Sequence, residues 1–164
     1  MGGSNPRGRD GQRSWKRPAS RRSLNSCRWR SLAGRKGAWV QITELVNRYQ
    51  AGERSFEGVS LAGANLRGVD LSDIVLRGAD LRFTNLREAN LRGADLSEAN
   101  LYEANLQDAD LRQANLSRAV LWLADPLNAH LEGANLKDAK VAGAQLARAA
   151  SLAGATLPDG TVHA

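Results

Sequence analysis

Cysteine and histidine are almost missing from this chain of 164 residues, which has one Cys and two His. The lone thiol, Cys27, excludes an intramolecular disulfide and a thiolate metal cluster. His130 and His163 lie far apart in sequence, and no nucleophile, base and orienting group fall into a recognisable set. No Walker loop is present, and no GxGxxG follows a strand. No apolar run is long enough to span a bilayer. The pair Arg21-Arg22 precedes "SLNSCRWRSLAG", too polar for the apolar core of a signal peptide, so twin-arginine export is not expected. A cytoplasmic protein without catalysis, metal, cofactor or small-molecule substrate is the expectation. At this length one domain is the default.

Leucine, by contrast, recurs with unusual regularity. In "ANLYEANLQDADLRQANLSRA", Ala99 to Ala119, it stands at 101, 106, 111 and 116, each with alanine two places before it. An α-helix turns about 100° per residue, so a five-residue step advances about 140° net and forms no stripe. A strand alternates faces, so an odd period sends successive leucines to opposite sides. A chain that bends by a right angle every five residues solves both problems. Four bends close a square coil of twenty residues with every leucine pointing to the axis, and coils stack by backbone hydrogen bonds about 4.8 Å apart.

The frame begins at Phe56 and holds Leu at every fifth position from 61 to 121, then Pro126, Leu131, Leu136, Val141 and Leu146. It then slips by one residue and resumes at Leu152 and Leu157. Two places upstream, Ala is almost unbroken from Ala89 to Ala144, while Val59, Val69, Ile74 and Thr84 fill the earlier slots. Just before each centre sit mostly Asn and Asp, whose side chains bond nearby backbone and favour turns. Twenty-one centres make about five coils, a rod of about 24 Å at sheet spacing.

The pattern A(D/N)LXX resembles the pentapeptide-repeat family, and the resemblance runs from Ser55 to Leu157. It implies an all-β solenoid, a right-handed quadrilateral β-helix. The handedness comes from the resemblance and not from the spacing.

The boundaries follow from changes of pattern. Residues 1–38 carry eleven Lys and Arg against one acid, Asp10, a net of +10. Residues 39–164 carry twelve bases and sixteen acids, a net of −4. The basic segment, rich in Arg, Ser and Gly, cannot bury enough apolar surface to offset ordering entropy and reads as a disordered tail. A solvated extension is the preferred reading. Contact with nucleic acid or an anionic membrane, helped by Trp15 and Trp29, and an organelle-targeting role are the alternatives. Residues 39–53 change period: Ile42, Leu45, Val46 and Tyr49 share a helical face, with Gly52 at the C-terminal stop. A helix over about 41–51 is expected to close the open end of the tube. The repeat domain spans 54–158. Pro158-Asp159-Gly160 ends it, leaving 159–164 as a short tail and the last coil as a candidate homodimer contact.

Residues twenty apart stack in columns. One outward column reads Ala62, Arg82, Tyr102, Trp122, Ala142, and its neighbour Gly63, Phe83, Glu103, Leu123, Gly143. With Leu127 beside the corner, one side of the rod carries Arg82, Phe83, Tyr102, Trp122, Leu123 and Leu127, the candidate interaction face. Arg82 is expected to stack on Tyr102. Pro126, the only proline in an inward slot, predicts a bulged or shifted corner with Leu123 or Leu127 moving to fill the axis. His130 occupies the Asn/Asp slot and reads as a turn or ladder residue. An unpaired charge at Leu106 should disrupt the rod, whereas one at the outward Gln107 should be tolerated.

A non-catalytic scaffold for an unidentified protein partner is the leading function, because solenoids offer extended surfaces and no cleft. The resemblance supplies an alternative, a DNA-mimicking modulator of DNA gyrase, as in relatives that protect gyrase from quinolones. Arg67, Arg77, Arg82, Arg87, Arg92 and Arg112 interrupt any negative stripe that this needs. A structural role in a photosynthetic or membrane-associated setting is a third reading that these residues do not test.

Overall fold

The computed structural model describes residues 41–164. The basic segment 1–38, with Trp15, Trp29 and Cys27, lies outside the described residues. Helix α1 spans Ile42–Gln50, one residue shorter at each end than the sequence pattern predicts. Gln41 and Ala51 flank it, and Gly52 takes φ +97° with its N–H on the Tyr49 carbonyl at 2.9 Å.

From Ser55 the chain winds as a four-sided coil. Parallel bridges join residues twenty apart, Ser55 to Val75, Ser60 to Asp80, Asn65 to Asn85, Asp70 to Asn90, and so on to Val120 and Lys140. Each side contributes one bridging residue per coil, too little for an extended strand, so the sheets are columns of single bridges. Three backbone bonds recur at each step. Leu61 N–H donates to the Asp80 carbonyl at 2.8 Å, Gly63 N–H to Arg82 at 2.8 Å, and Asp80 N–H back to Val59 at 2.9 Å. Every polar backbone group so engaged is kept off the penalty list that a bent chain otherwise runs up.

The corners have a common chemistry. Ala64 N–H closes on the Leu61 carbonyl at 2.9 Å, and the same four-residue turn repeats at every centre from Leu61 to Leu136. The third residue of every turn from 58 to 138 has positive φ: six glycines and eleven others, including Phe83, Glu103, Arg118 and Leu123. This left-handed position is what a type II turn requires. Where the residue before a centre is Asn or Asp, it locks the turn from outside. Asn or Asp Oδ1 accepts the N–H two residues on, as in Asp70 with Ser72 at 3.1 Å and Asn105 with Gln107 at 3.0 Å.

The axis is dry and aliphatic. Leu66, Leu71, Leu76, Leu81 and the following centres to Leu116 are buried, as are the alanines before them from Ala79 on. Thr84, the polar exception in that slot, is fully buried and donates its Oγ1 to the Leu61 carbonyl at 3.0 Å. At the start of the rod, Leu45 of α1 is fully buried in the same core as Phe56 and Leu61, with Ile42, Val46 and Tyr49 packed against it. Tyr49 Oη donates to the Ser72 carbonyl at 2.8 Å. Inner coils fill the equivalent acceptor with a backbone N–H, as when Asp73 N–H bonds Arg92 at 2.9 Å.

Pro126 corrects an expectation. It is buried in its inward slot, with no bulge: Asn105 bridges Asp125 and Asp110 bridges His130 on either side of it. Leu123 and Leu127 stay outward. The irregularity sits one coil later, where the single-turn helix α2, Gly143–Leu146, replaces a corner. The N–H of a centre normally donates to the carbonyl nineteen residues on, as Leu121 does to Lys140 at 2.9 Å. At 126 that carbonyl would be Gln145, which instead accepts from Arg148 at 3.1 Å inside the irregular segment. Proline has no N–H to leave unpaired there. The extra residue is absorbed in this segment, since His130 bridges Ser151 and Asn135 bridges Thr156, both at a spacing of twenty-one. Ala144 is consequently exposed, and Val141, Leu152 and Leu157 are only half-buried.

Candidate interaction surface

The corner geometry decides what the rod displays. The two residues after each centre point outward, and the second stands at the left-handed position with its side chain thrown clear of the coil. Among the described residues the exposed large hydrophobics are Phe83, Trp122, Leu123, Leu127 and Val162. Four of these five belong to the face that the column arithmetic picks out. Phe83 and Leu123 both occupy left-handed corners, at φ 59°. Tyr102 is half-buried and meets Phe83 edge to face, ring centres 5.9 Å apart and planes at 82°, the arrangement that the ring quadrupoles favour. Leu127 lies on the adjoining side, its N–H held by Asp125 Oδ1 at 3.3 Å. Above and below, Ala62-Gly63 and Ala142-Gly143 leave the backbone almost bare, so the cluster stands as a ridge in mid-rod.

Arg82 does not stack on Tyr102. Its Nε and Nη2 grip Asp80 Oδ1 and Oδ2, both at 2.8 Å. A bidentate carboxylate pair is stronger than an exposed cation–π contact. Such contacts form instead at the first coil, Arg48 over Phe56 at 5.0 Å and Arg54 over Tyr49 at 4.0 Å. Helix α1 leaves the ridge uncovered; its hydroxyl bond goes to Ser72, and Phe83, Trp122 and Leu123 remain exposed.

The other sides are laced with charge pairs that bridge coils: Arg67 to Glu88 at 3.0 Å, Arg77 to Glu98 at 2.9 Å, Arg87 to Asp108 at 3.2 Å and Arg148 to Asp125 at 2.9 Å. Hydrogen bonding from Arg82 and Arg112 holds the Asp80 and Asp110 carboxyls below the usual carboxylate range. Arg67 does the same to Glu88. Gln107 is part of this lacing, contrary to the expectation that it is idle: it donates to Asp125 Oδ2 at 2.6 Å and accepts from Arg87 at 3.3 Å. His130 is a ladder residue, bridging Asp110 and Ser151, with Nδ1 3.1 Å from Glu132 Oε1.

Sequence reasoning missed a polar depression on another side, floored by Ser97 and Ser117 and rimmed by Arg77, Arg118, Lys137 and Asp138. The signal was there as two small residues twenty apart in one outward column. No three His, Cys, Asp or Glu among the described residues are grouped to hold a metal ion. No helix among them is long and apolar enough to cross a membrane.

Comparison with known proteins adds to this geometry. The family model "Pentapeptide repeats" matches in eight copies, at 55–93, 79–118, 94–125 and 114–150, which together run unbroken over more than half of the chain. No curated protein matches. Among solved structures, the chain is similar to HetL from the cyanobacterium Nostoc sp. strain PCC 7120, a pentapeptide repeat protein involved in heterocyst differentiation regulation. The identity is 36% and the TM-score 0.55, over 66% of this chain and 55% of that one. It is also similar to the pentapeptide repeat protein Rfr23 from Cyanothece 51142, at 40% identity and TM-score 0.53, over 54% of this chain and 60% of that one. The matched part thus spans less than two thirds of either relative. These likenesses identify the solenoid as a right-handed β-helix. With the five-residue frame, the twenty-residue bridges and the family match in agreement, the chain belongs to the pentapeptide-repeat family.

Proposed function

We propose that this chain is a non-catalytic scaffold that presents Arg82, Phe83, Tyr102, Trp122, Leu123 and Leu127 to a protein partner. One observation carries the reading. The rod buries its apolar side chains almost completely, yet four large ones stand exposed on neighbouring positions. Each exposed aromatic or leucine forgoes part of the about 1.5–3 kcal/mol that full burial supplies, and such ridges in soluble proteins mark contact sites. Trp and Tyr with a flanking Arg are also the residue types that dominate protein interfaces. Among the described residues the convex outer faces offer no water-excluding pocket to tune a catalytic group, which supports a role in binding. Helix α1 serves as the cap that closes the first coil, with Tyr49 on its carbonyl edge.

The gyrase reading has less support. Arginines paired across coils with Glu88, Glu98, Asp108 and Asp125 break the acidic stripe that a mimic of a duplex needs.

Affinity capture from native lysate with the parent and with Trp122→Ser/Tyr102→Ser tests the scaffold. Loss of a protein retained by the parent is the expected result. The same set of captured proteins from both would remove this face as the site. A supercoiling assay with purified protein separates the alternative: inhibition or protection of gyrase at micromolar concentrations favours it.

A further inference from the structure

Every bridge of the rod is parallel except one. Thr156 pairs antiparallel with Val162, because the chain turns back on itself after the last coil. Leu157 N–H donates to the Thr161 carbonyl at 2.7 Å, Gly154 N–H to His163 at 2.8 Å, and His163 N–H to Ala155 at 2.8 Å. Gly160 makes the reversal at φ +86°, and Asp159 Oδ1 ties it by accepting the Thr161 N–H at 2.9 Å and its Oγ1 at 2.6 Å.

The three groups engaged at 154, 155 and 157 are the ones an inner coil offers to the next. One coil earlier, Gly133 N–H bonds Ala153, Leu136 N–H bonds Thr156, and the Ala134 carbonyl accepts from Thr156. The return strand therefore sits where another coil would dock. On a second side, α2 spends its own donors internally: Gln145 N–H on Ala142 at 2.9 Å and Ala147 N–H on Gly143 at 3.0 Å. Bare strand edges recruit other chains, and the partner best matched to an open coil is another coil of the same pitch.

We propose that residues 159–163 form a latch that occupies the terminal edge of the solenoid and keeps a second copy of this chain from stacking on it. The latch holds the edge by three backbone bonds and one turn, all within residues 154–163, so it opens without disturbing the rod. This inference is independent of the aromatic face.

Light scattering over a concentration series compares the full chain with Gly160→Val/His163→Pro. Valine strains the left-handed turn and proline removes the His163 donor. Asp159→Ala, which only unties the turn, is a milder second variant. Folding is followed by circular dichroism. The opened variants are expected to dimerise at concentrations about tenfold lower than the parent, the weight of a few uncovered backbone bonds. Hydrogen exchange on the parent should find the Gly154 and Leu157 amides protected, a readout that needs no variant. Folded variants that associate no more than the parent, a parent dimer that the substitutions dissolve, or unprotected Gly154 and Leu157 amides would each overturn the latch.

Discussion

Gln145 reaches across the break in the last coil and sets its side-chain Nε2 2.8 Å from the Ala124 carbonyl oxygen. In an unbroken coil that acceptor takes a backbone N–H twenty-one residues on, as Ala119 takes Lys140 at 2.8 Å. Gln145's own N–H is committed to α2, so its amide replaces it. It also donates to the Leu121 carbonyl at 3.1 Å and accepts from Ala142 N–H at 3.0 Å. Tyr49 plays the same part at the other end with Ser72.

Gln145→Met keeps the length and loses the bonds. It should destabilise the rod by about 1–3 kcal/mol, the cost of leaving carbonyls unmet in a partly buried place. Tyr49→Phe should cost about 1 kcal/mol. Urea denaturation measures both; midpoints equal to the parent's would mean that these side chains do not replace the missing ladder donors.

Leu106, in mid-axis, is almost wholly buried, whereas Arg92 points outward. Leu106→Asp puts an unpaired charge in the bore, and net stability is only about 5–15 kcal/mol. The variant should unfold at room temperature by circular dichroism. Arg92→Asp should stay within about 0.5 kcal/mol of the parent. Comparable losses at both positions would contradict the inward and outward assignment.

Arg118 stands at a left-handed corner, φ 58°, exposed to solvent. Arg118→Val should cost about 1–2 kcal/mol, since a branched Cβ crowds the backbone at positive φ. Arg118→Gly should be neutral or gain up to about 1 kcal/mol. Thermal denaturation of the pair is the check; a valine variant as stable as the glycine variant would show that the corner carries no strain.

Asp80 and Asp110 have carboxyls depressed by hydrogen bonding to Arg82 and Arg112. Their folded-state values lie below the unfolded value near about 4, so protonation favours unfolding. Their contribution is therefore complete above about pH 4 and is lost as pH falls through the folded-state values. Melting temperature should drop from about pH 4 downward, and Arg112→Gln should flatten that limb. An acid limb of unchanged depth in the variant would remove the Asp110 pair as a source.

The solenoid was legible because its cause is local and repeated. Leucine at every fifth position from 61 to 121 can share one dry side only if the chain turns a corner at each, and Asn or Asp before most of these leucines signals the turn. The helix at 42–50 was legible from its own period, and the exposed ridge from column arithmetic, since residues twenty apart must stack. The partner that Arg82 selects was not legible. Asp80, two residues away, and Tyr102, one coil away, are both within reach, and only side-chain geometry chooses the carboxylate.

Pro126 teaches the same lesson. Read by itself it looks like a defect, because an inward centre normally donates a hydrogen bond. Whether a donor is needed there depends on what lies nineteen residues on, and that is α2.

By itself, then, the sequence determined the period, the inward set and the number of turns, because each follows from what neighbouring residues within one corner demand. Tertiary structure alone decided how the backbone groups at the two ends and at the break are met. There the stack runs out of identical neighbours, backbone groups lack their usual partners, and Tyr49, Gln145 and the strand at 161–163 are brought in from elsewhere in the chain to meet them.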